Sequence, residues 1–347
     1  MTDKYFLGSN TKYGFYSYFR NIILPKNGAK LYIIKGGPGS GKSTLLKRLR
    51  DTFLKNNDIL EEFYCSTDIN SLDGLYNKTK NVAFLDATAP HIVNAVYPGA
   101  FEILINTQDG FDNKKLGYNF KTIKELSTKI DAAHKRATNL IKSAEILREQ
   151  VYFIAEKYLN LDVVNTMCDL LPFWRMLNKK GDKKIRLLSA VSSGKIAFLQ
   201  DSLKDYKLKY LIADNYGPAA NALIEKIEQK ASSLNLERIL SPCSINPNRL
   251  EHLLFADKTV CFTCGNMYHK YYQENLQVLD GFYLPFSLED LNIIEASNKQ
   301  STELISLATK QVQKAKILHD ELEKIYIKAM DFTIIDTLYN KIINEIG

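Results

Sequence analysis

Leu31-Tyr32-Ile33-Ile34-Lys35-Gly36-Gly37-Pro38-Gly39-Ser40-Gly41-Lys42-Ser43-Thr44-Leu45-Leu46 is the stretch on which the rest of the chain is read. An apolar run fit for a buried strand feeds a glycine-rich turn, and Thr44-Leu45-Leu46-Lys47-Arg48-Leu49 continues with helical spacing. Gly36 to Ser43 is G-x-x-x-x-G-K-S in the strand–turn–helix context that gives the motif its meaning. Glycines tolerate positive φ, so backbone N–H groups can close around a polyphosphate at a helix N-terminus. Lys42 is then expected to reach the β and γ oxygens, and the Ser43 hydroxyl to ligate Mg²⁺. The expected ligands are ATP, cradled by Gly36, Gly37, Pro38, Gly39, Ser40, Gly41, Lys42, Ser43 and Thr44, and Mg²⁺.

The chain also contains itself twice. Cys65-Ser66 recurs as Cys243-Ser244, 178 residues on. The same spacing pairs Tyr32 with Tyr210, Ile34 with Ile212, Gly39 with Gly217, Leu72 with Leu250, Phe84 with Phe262 and His91 with His269. Upstream, Gly14 faces Gly194 at a spacing of 180; downstream, Ala144-Glu145-Ile146-Leu147 faces Ala315-Lys316-Ile317-Leu318 at 171. A tandem duplication follows, joined near the polar stretch Asn178 to Asp182. Residues 1–178 are read as one domain with a helical hairpin at about 113–178, and 179–347 as its copy with C-terminal helices from about 287 to 347. Strands alternating with helices predict two α/β domains, each with a parallel sheet covered on both faces and an appended helical region. Ligands are expected at the carboxyl ends of the strands, in segments 36–43, 66–74 and 86–91.

Aligning the copies shows which positions changed together. Gly36 to Ser43 faces Asp214-Asn215-Tyr216-Gly217-Pro218-Ala219-Ala220-Asn221, so Lys42 has become Ala220 and Ser43 has become Asn221. Asp214 puts a carboxylate where phosphate would lie, and Asp86 has become Cys264. The second half is therefore expected to be degenerate, unable to take Mg²⁺-nucleotide. In the first half Asp86 ends the apolar run Val82 to Leu85, where a carboxylate would hold Mg²⁺ opposite Ser43. Ala87 follows, not a water-activating Glu, which points away from fast autonomous hydrolysis. Asp68, Asp73, Thr88 and His91 are the candidates to compensate. Asp68 becomes Asn246 in the copy and ranks first as catalytic carboxylate; Asp73 stays acidic as Glu251 and His91 stays His269, so both read as structural contacts. Lys42, Asp68 and Asp86 are the expected catalytic set. Arg136, Arg148, Arg238 and Arg249 are candidate arginine fingers.

Composition sets the outer bounds. The chain has 347 residues, 45% hydrophobic and 24% charged, with a net charge of +7. The basic residues lie among acids in helical stretches, so nucleic acid is not an expected partner. The five scattered cysteines fit reduced thiols in a cytoplasm. Cys261-x-x-Cys264 lies on a strand, where residues three apart face opposite ways, a poor zinc geometry. No apolar run approaches the roughly 20 residues of a membrane span, and no leader-like segment is read at the start. The aromatic cluster Tyr5, Phe6, Phe15, Tyr16, Tyr18 and Phe19 reads as core.

These features together resemble a family of uncharacterised bacterial tandem P-loop ATPase-like proteins. The resemblance rests on Gly36 to Thr44, Cys65-Ser66-Thr67-Asp68 with Ser71-Leu72-Asp73-Gly74, and Asp86 to His91 followed by Tyr97-Pro98-Gly99. It implies paired P-loop NTPase domains that bind ATP, and adds little about substrate. This chain departs from the family pattern in its second loop. The expected function is an ATP-binding P-loop NTPase, a slow or partner-stimulated Mg²⁺-dependent ATPase whose second half docks a protein partner or completes the live site. A small-molecule or nucleotide kinase with Asp68 as general base, and a non-enzymatic nucleotide-gated binding protein, are the alternatives.

Overall fold

The computed structural model describes residues 2–271 and 275–346. The first half runs β1 (Thr2–Phe6), a hairpin of β2 (Gly8–Thr11) and β3 (Gly14–Ser17), β4 (Lys30–Lys35), α1 (Lys42–Lys55), β5 (Leu60–Tyr64), β6 (Leu72–Asn77), β7 (Val82–Asp86) and β8 (Glu102–Asn106). Helices α2 (Asn113–Tyr118), α3 (Phe120–Glu156) and α4 (Leu161–Leu170) follow. The second half repeats this order: β9 (Lys183–Ile185), the hairpin β10 (Ser189–Val191) and β11 (Ile196–Phe198), β12 (Leu208–Ala213), α5 (Pro218–Ser233), β13 (Arg238–Pro242), β14 (Leu250–Phe255), β15 (Val260–Gly265) and β16 (Leu276–Leu279). It closes with α6 (Leu288–Ile327) and α7 (Thr333–Ile346).

Each half builds a six-stranded sheet of matching order, β1-β5-β6-β7-β4-β8 and β9-β13-β14-β15-β12-β16. The duplication is thus present strand for strand. The fully parallel sheet expected from the sequence is corrected: β6 and β14 run antiparallel to both neighbours, so the sheets are mixed. The stretch 66–74, expected as loop, enters β6 at Leu72. Its alternation is weak because Leu72-Asp73-Gly74-Leu75 places an acid and a glycine inside a strand.

The sheets are not covered by helices on both faces either. Period-two alternation splits each strand between two cores. Leu31, Ile33, Ala83 and Leu85 point into a cluster shared with Leu188, Ile239, Leu254 and Cys261 of the second half, so the two sheets pack face to face. Tyr32, Ile34, Val82 and Phe84 point the other way, onto α1. The layers run helix, sheet, sheet, helix.

The helices do not respect the expected division at 178. α4 and Phe173 pack on the second sheet, with Val164 and Cys168 against α5, while Ile335 and Ile342 of α7 pack on α1 of the first. The helical hairpin expected within 113–178 is absent: α3 pairs with α6. The pair is antiparallel, since Val151 and Ile154 meet Ile294, Ala137 to Ala144 meet Ile305 to Val312, and His134 lies by His319. Each half therefore lends its long helix and terminal helix to the other.

One buried ion pair ties the halves at the sheet-to-sheet interface. Arg186 Nε donates to Glu61 Oε2 at 2.9 Å, and the two side chains are 1% and 0% exposed. Its other nitrogens donate to the carbonyls of Asn21 at 2.6 Å and Ile22 at 2.8 Å. Burial works against the Glu61 charge, yet Arg186, Lys78 and Lys184 hold the carboxyl down at about 2. A carboxyl depressed in this way stabilises the fold above its unfolded pKa and loses that contribution as the pH falls toward the folded one. Glu61→Gln should cost about 3–5 kcal/mol in urea unfolding at pH 7 by leaving Arg186 unpaired. The gap to wild type should narrow as pH falls from 4.5 toward 2; an equal gap at neutral and acid pH would contradict the assignment.

Candidate functional site

The loop from Gly36 to Ser43 leaves β4 and enters α1 at Lys42, as the sequence predicts. Two glycines are sterically required. A Cβ on Gly36 would collide with Thr107 Oγ1 and Ser40 Oγ, which hydrogen-bond each other at 2.8 Å and close the base of the turn. Gly41 caps α1 with φ of 84°, where a side chain would be strained and would also strike Ile335 of α7. Thr44 lies exposed on the first turn of α1.

Because β7 is paired directly with β4, its last residue, Asp86, stands beside the loop. Lys42 Nζ lies 3.6 Å from Asp86 Oδ2 and donates to the Gly37 carbonyl at 2.7 Å. The other Asp86 oxygen accepts from Thr88 N at 3.0 Å and Thr88 Oγ1 at 2.5 Å. Ser43 Oγ accepts from Leu72 N at 3.1 Å, which locks the start of α1 to β6.

Asp73, read from the sequence as a structural contact, is brought beside Asp86. Gly74 pairs with Phe63 and Leu72 with Tyr64, so Asp73 is the extra residue of a β-bulge, a device that re-aims a side chain. It is 7% exposed, and one of its carboxylate oxygens, one of Asp86 and one ring nitrogen of His91 lie within 4.8 Å of one another. Burial, and then the neighbouring Asp86 charge, raise its pKa to about 8. His91 is buried, stacked on Phe19 at 4.3 Å, and neither ring nitrogen has a partner among the described residues. Burial lowers its pKa despite Asp86. Asp73 and His91, both read as structural contacts, belong to the same group as Lys42, Ser43 and Asp86. No local sequence signal marks Asp73 out, since the bulge that aims it is set by strand pairing and the second half keeps that bulge with Glu251-His252 in place of Asp73-Gly74.

Asp68 sits at the rim. Its Oδ1 accepts from Asn70 N at 3.0 Å, and its Oδ2 lies 3.5 Å from Lys316 Nζ, a residue of the crossing helix α6. Two turns on, Glu323 Oε1 accepts from Gly39 N at 3.4 Å, and Gly39 packs against Glu323 and Ile327. The second half thus completes the rim of the first loop. The candidate fingers lie elsewhere: Arg148 and Arg249 face the second loop, Arg238 pairs with Glu228, and Arg136 is exposed on α3.

In the second half the same place is filled by the protein itself. Asp214 Oδ1 accepts from Tyr216 N and Gly217 N, both at 2.9 Å, and from the Tyr283 hydroxyl at 2.9 Å; Oδ2 accepts from Ala220 N at 2.8 Å. Ala220 is the counterpart of Lys42. The strand tie survives in altered chemistry, with Leu250 N donating to Asn221 Oδ1 at 2.9 Å. The crossing-helix contact survives with the charge of the helix residue reversed: the Asp68–Lys316 ion pair becomes Asn246 Nδ2 donating to Glu145 Oε1 at 2.7 Å. Cys261 and Cys264 enter different cores, as strand alternation predicts.

No family model, no curated protein and no solved structure matches the chain. Among the described residues no helix is long and apolar enough to cross a membrane.

A carboxyl raised by burial stabilises the fold below its unfolded pKa of 3.8 and costs stability as the pH climbs toward about 8. Asp73→Asn should therefore be more stable than wild type at pH 8, by roughly 2–5 kcal/mol. The gain should vanish near pH 4, as read by thermal melts across that range. A variant less stable at every pH would contradict the placement of Asp73.

Proposed function

We propose that the chain is an ATP-binding P-loop NTPase with one working site, built on Gly36 to Thr44, and one degenerate site. The observation that carries this reading is Asp214. The second loop keeps its inward-facing N–H groups and satisfies them with a carboxylate from its own strand, as an anion hole would be satisfied by phosphate. The first loop has Gly36 in place of Asp214 and Lys42 in place of Ala220, so it leaves that role to a ligand.

The donor set suits Mg²⁺, which takes oxygen ligands from one or two carboxylates and substrate phosphates. The Ser43 hydroxyl and the Asp86 carboxylate would hold it, with Asp73 behind them. The ion would neutralise charge building on the β and γ phosphates. Lys42 reaches the same oxygens from its present position over the loop. Asp73, whose carboxyl burial pushes up to about 8, is placed to take a proton from an attacking water in its ionised form, a form that gains share as the pH rises toward 8. Asp68, held by Lys316, positions the rim and is the base of the kinase reading. Turnover is slow, because no acidic residue follows Asp86. The shared core between the sheets keeps the halves together, so any motion coupled to turnover belongs to α6 and α7 rather than to separation of the domains.

A cytoplasmic setting accords with five free cysteines. Transfer to a small-molecule acceptor is the second reading, favoured by the burial of Asp73 away from bulk water. Product analysis with Mg²⁺-ATP separates the two: ADP and inorganic phosphate released without acceptor mark the ATPase, a phosphorylated third compound the kinase. In either case Lys42→Ala should lower turnover by about 10²–10³-fold, the usual effect of removing a charge-stabilising group. Lys316→Ala should lower it without changing the melting temperature, because exposed pairs contribute only ~0–1 kcal/mol. Unchanged turnover in Lys42→Ala would overturn the proposal.

A further inference from the structure

The second half carries a cluster that the degenerate-loop reading does not use. Glu251, His252 and His269 are 7%, 0% and 3% exposed, and their ligand atoms lie within 4.8 Å of one another. His269 Nδ1 is 3.7 Å and His252 Nε2 4.0 Å from Glu251 Oε2. Both nitrogens of each ring and Glu251 Oε2 lack a hydrogen-bond partner among the described residues. A buried polar atom left so carries an uncompensated desolvation cost. Three of the five, Glu251 Oε2 and one nitrogen from each ring, converge on one point and call for a shared occupant.

The backbone builds this convergence deliberately. Adjacent residues on a strand normally face opposite ways, which would part Glu251 from His252. Here Ser241 pairs with His252 and Pro242 with Leu250, so Glu251 is the extra residue of a β-bulge and is re-aimed. The equivalent bulge in the first half presents Asp73. His269 is fixed by a turn in which its N–H donates to Asn266 Oδ1 at 3.0 Å. Both rings lie on Phe198, at 5.5 and 4.9 Å between centroids.

We infer that Glu251, His252 and His269 form a binding site for a first-row divalent transition metal, with Zn²⁺ as the reference ion. Two imidazoles and a carboxylate are a ligand set for such an ion, with the fourth position left to water. Metal–nitrogen bonds of about 2.0–2.1 Å put tetrahedral ligand atoms about 3.3 Å apart, so the two histidine–carboxylate separations of 3.7 and 4.0 Å would close modestly around an ion. The other charged and sulfur groups nearby are compatible. Arg148 faces the opposite oxygen, Glu251 Oε1, at 4.0 Å and is itself paired with Glu145 at 2.9 Å. The thiols of Cys243 and Cys264 lie close enough to Glu251 to feel its charge. Glu251 lines the cleft beside the second loop, together with Arg148, Cys264 and Tyr268, which gives the ion a way in.

The duplication explains the choice of metal. Asp73, Asp86 and His91 offer mostly oxygen in the first half; their counterparts are Glu251, Cys264 and His269, and Gly74 has become His252. Oxygen donors for a hard ion have been exchanged for imidazole, the preference of zinc and its neighbours. The site stands independently of whether the first loop binds nucleotide.

The test uses the full chain, stripped with chelator and titrated with Zn²⁺ and with Co²⁺. One zinc per chain by mass spectrometry of metal content, a cobalt absorption band typical of low-coordinate nitrogen and oxygen ligation, and a melting temperature raised by Zn²⁺ are expected. Glu251→Gln and the double variant His252→Gln, His269→Gln should weaken zinc binding at least tenfold, while Asp86→Asn should leave it unchanged. If the variants do not fold, the wild-type cobalt band and stoichiometry decide alone. Wild type that takes up no zinc, or zinc uptake unaffected by the double variant, would overturn the inference.

Discussion

The inner faces of the two sheets cannot be left wet, and they close over each other, with Phe19, Ile22 and Leu203 beside them. Leu31, Ile33, Phe63 and Leu85 on one side and Leu188, Ile239 and Leu254 on the other make one core. A fully buried side chain of this kind contributes about 1.5–3 kcal/mol. Parting the halves would expose them all and strand Arg186 and Glu61 as well. The other constraints follow. With one face of each sheet committed to its twin, helices have only the outer faces, and the long helices α3 and α6 run side by side across both halves.

That crossing decides how the sites are made. α6 brings Lys316 to Asp68 and Glu323 to Gly39; α3 brings Glu145 to Asn246 and Tyr152 to Gly217. Neither loop is complete within its own half. Asp68 meets a cation and its counterpart Asn246 meets a carboxylate, so a neutral amide in place of the acid lets the crossing helix carry the opposite sign. An inward-facing ring of N–H groups still demands an anion, and Asp214 supplies one permanently. The second loop is thereby closed by its own strand.

Much of this was legible in the sequence because it depends on local pattern. Strand–glycine loop–helix at 31–55, the register of the repeat and the strand carrying Asp86 are set by alternation and by motif spacing, and they stand where expected. The antiparallel β6 was not legible, since Asp73-Gly74 interrupts its alternation and the bulge that explains the interruption is a property of pairing. The exchange of α4 and α7 was not legible either. An amphipathic helix states that it needs an apolar surface, not whose. Asp73 and His91 were set aside because they persist in a copy that has lost its loop chemistry. The structure gives another reason for their persistence, since the copy keeps Glu251 and His269 in a buried cluster of its own.

The central claim is an asymmetry: one loop takes its anion from solution, and the other holds Asp214 in its place. Calorimetric titration of the full chain with Mg²⁺ and a non-hydrolysable ATP analogue tests it most directly. One nucleotide per chain, abolished by Lys42→Ala and unaffected by Asn221→Ala, is the expected result. Two equivalent sites per chain, or one site indifferent to Lys42, would contradict it.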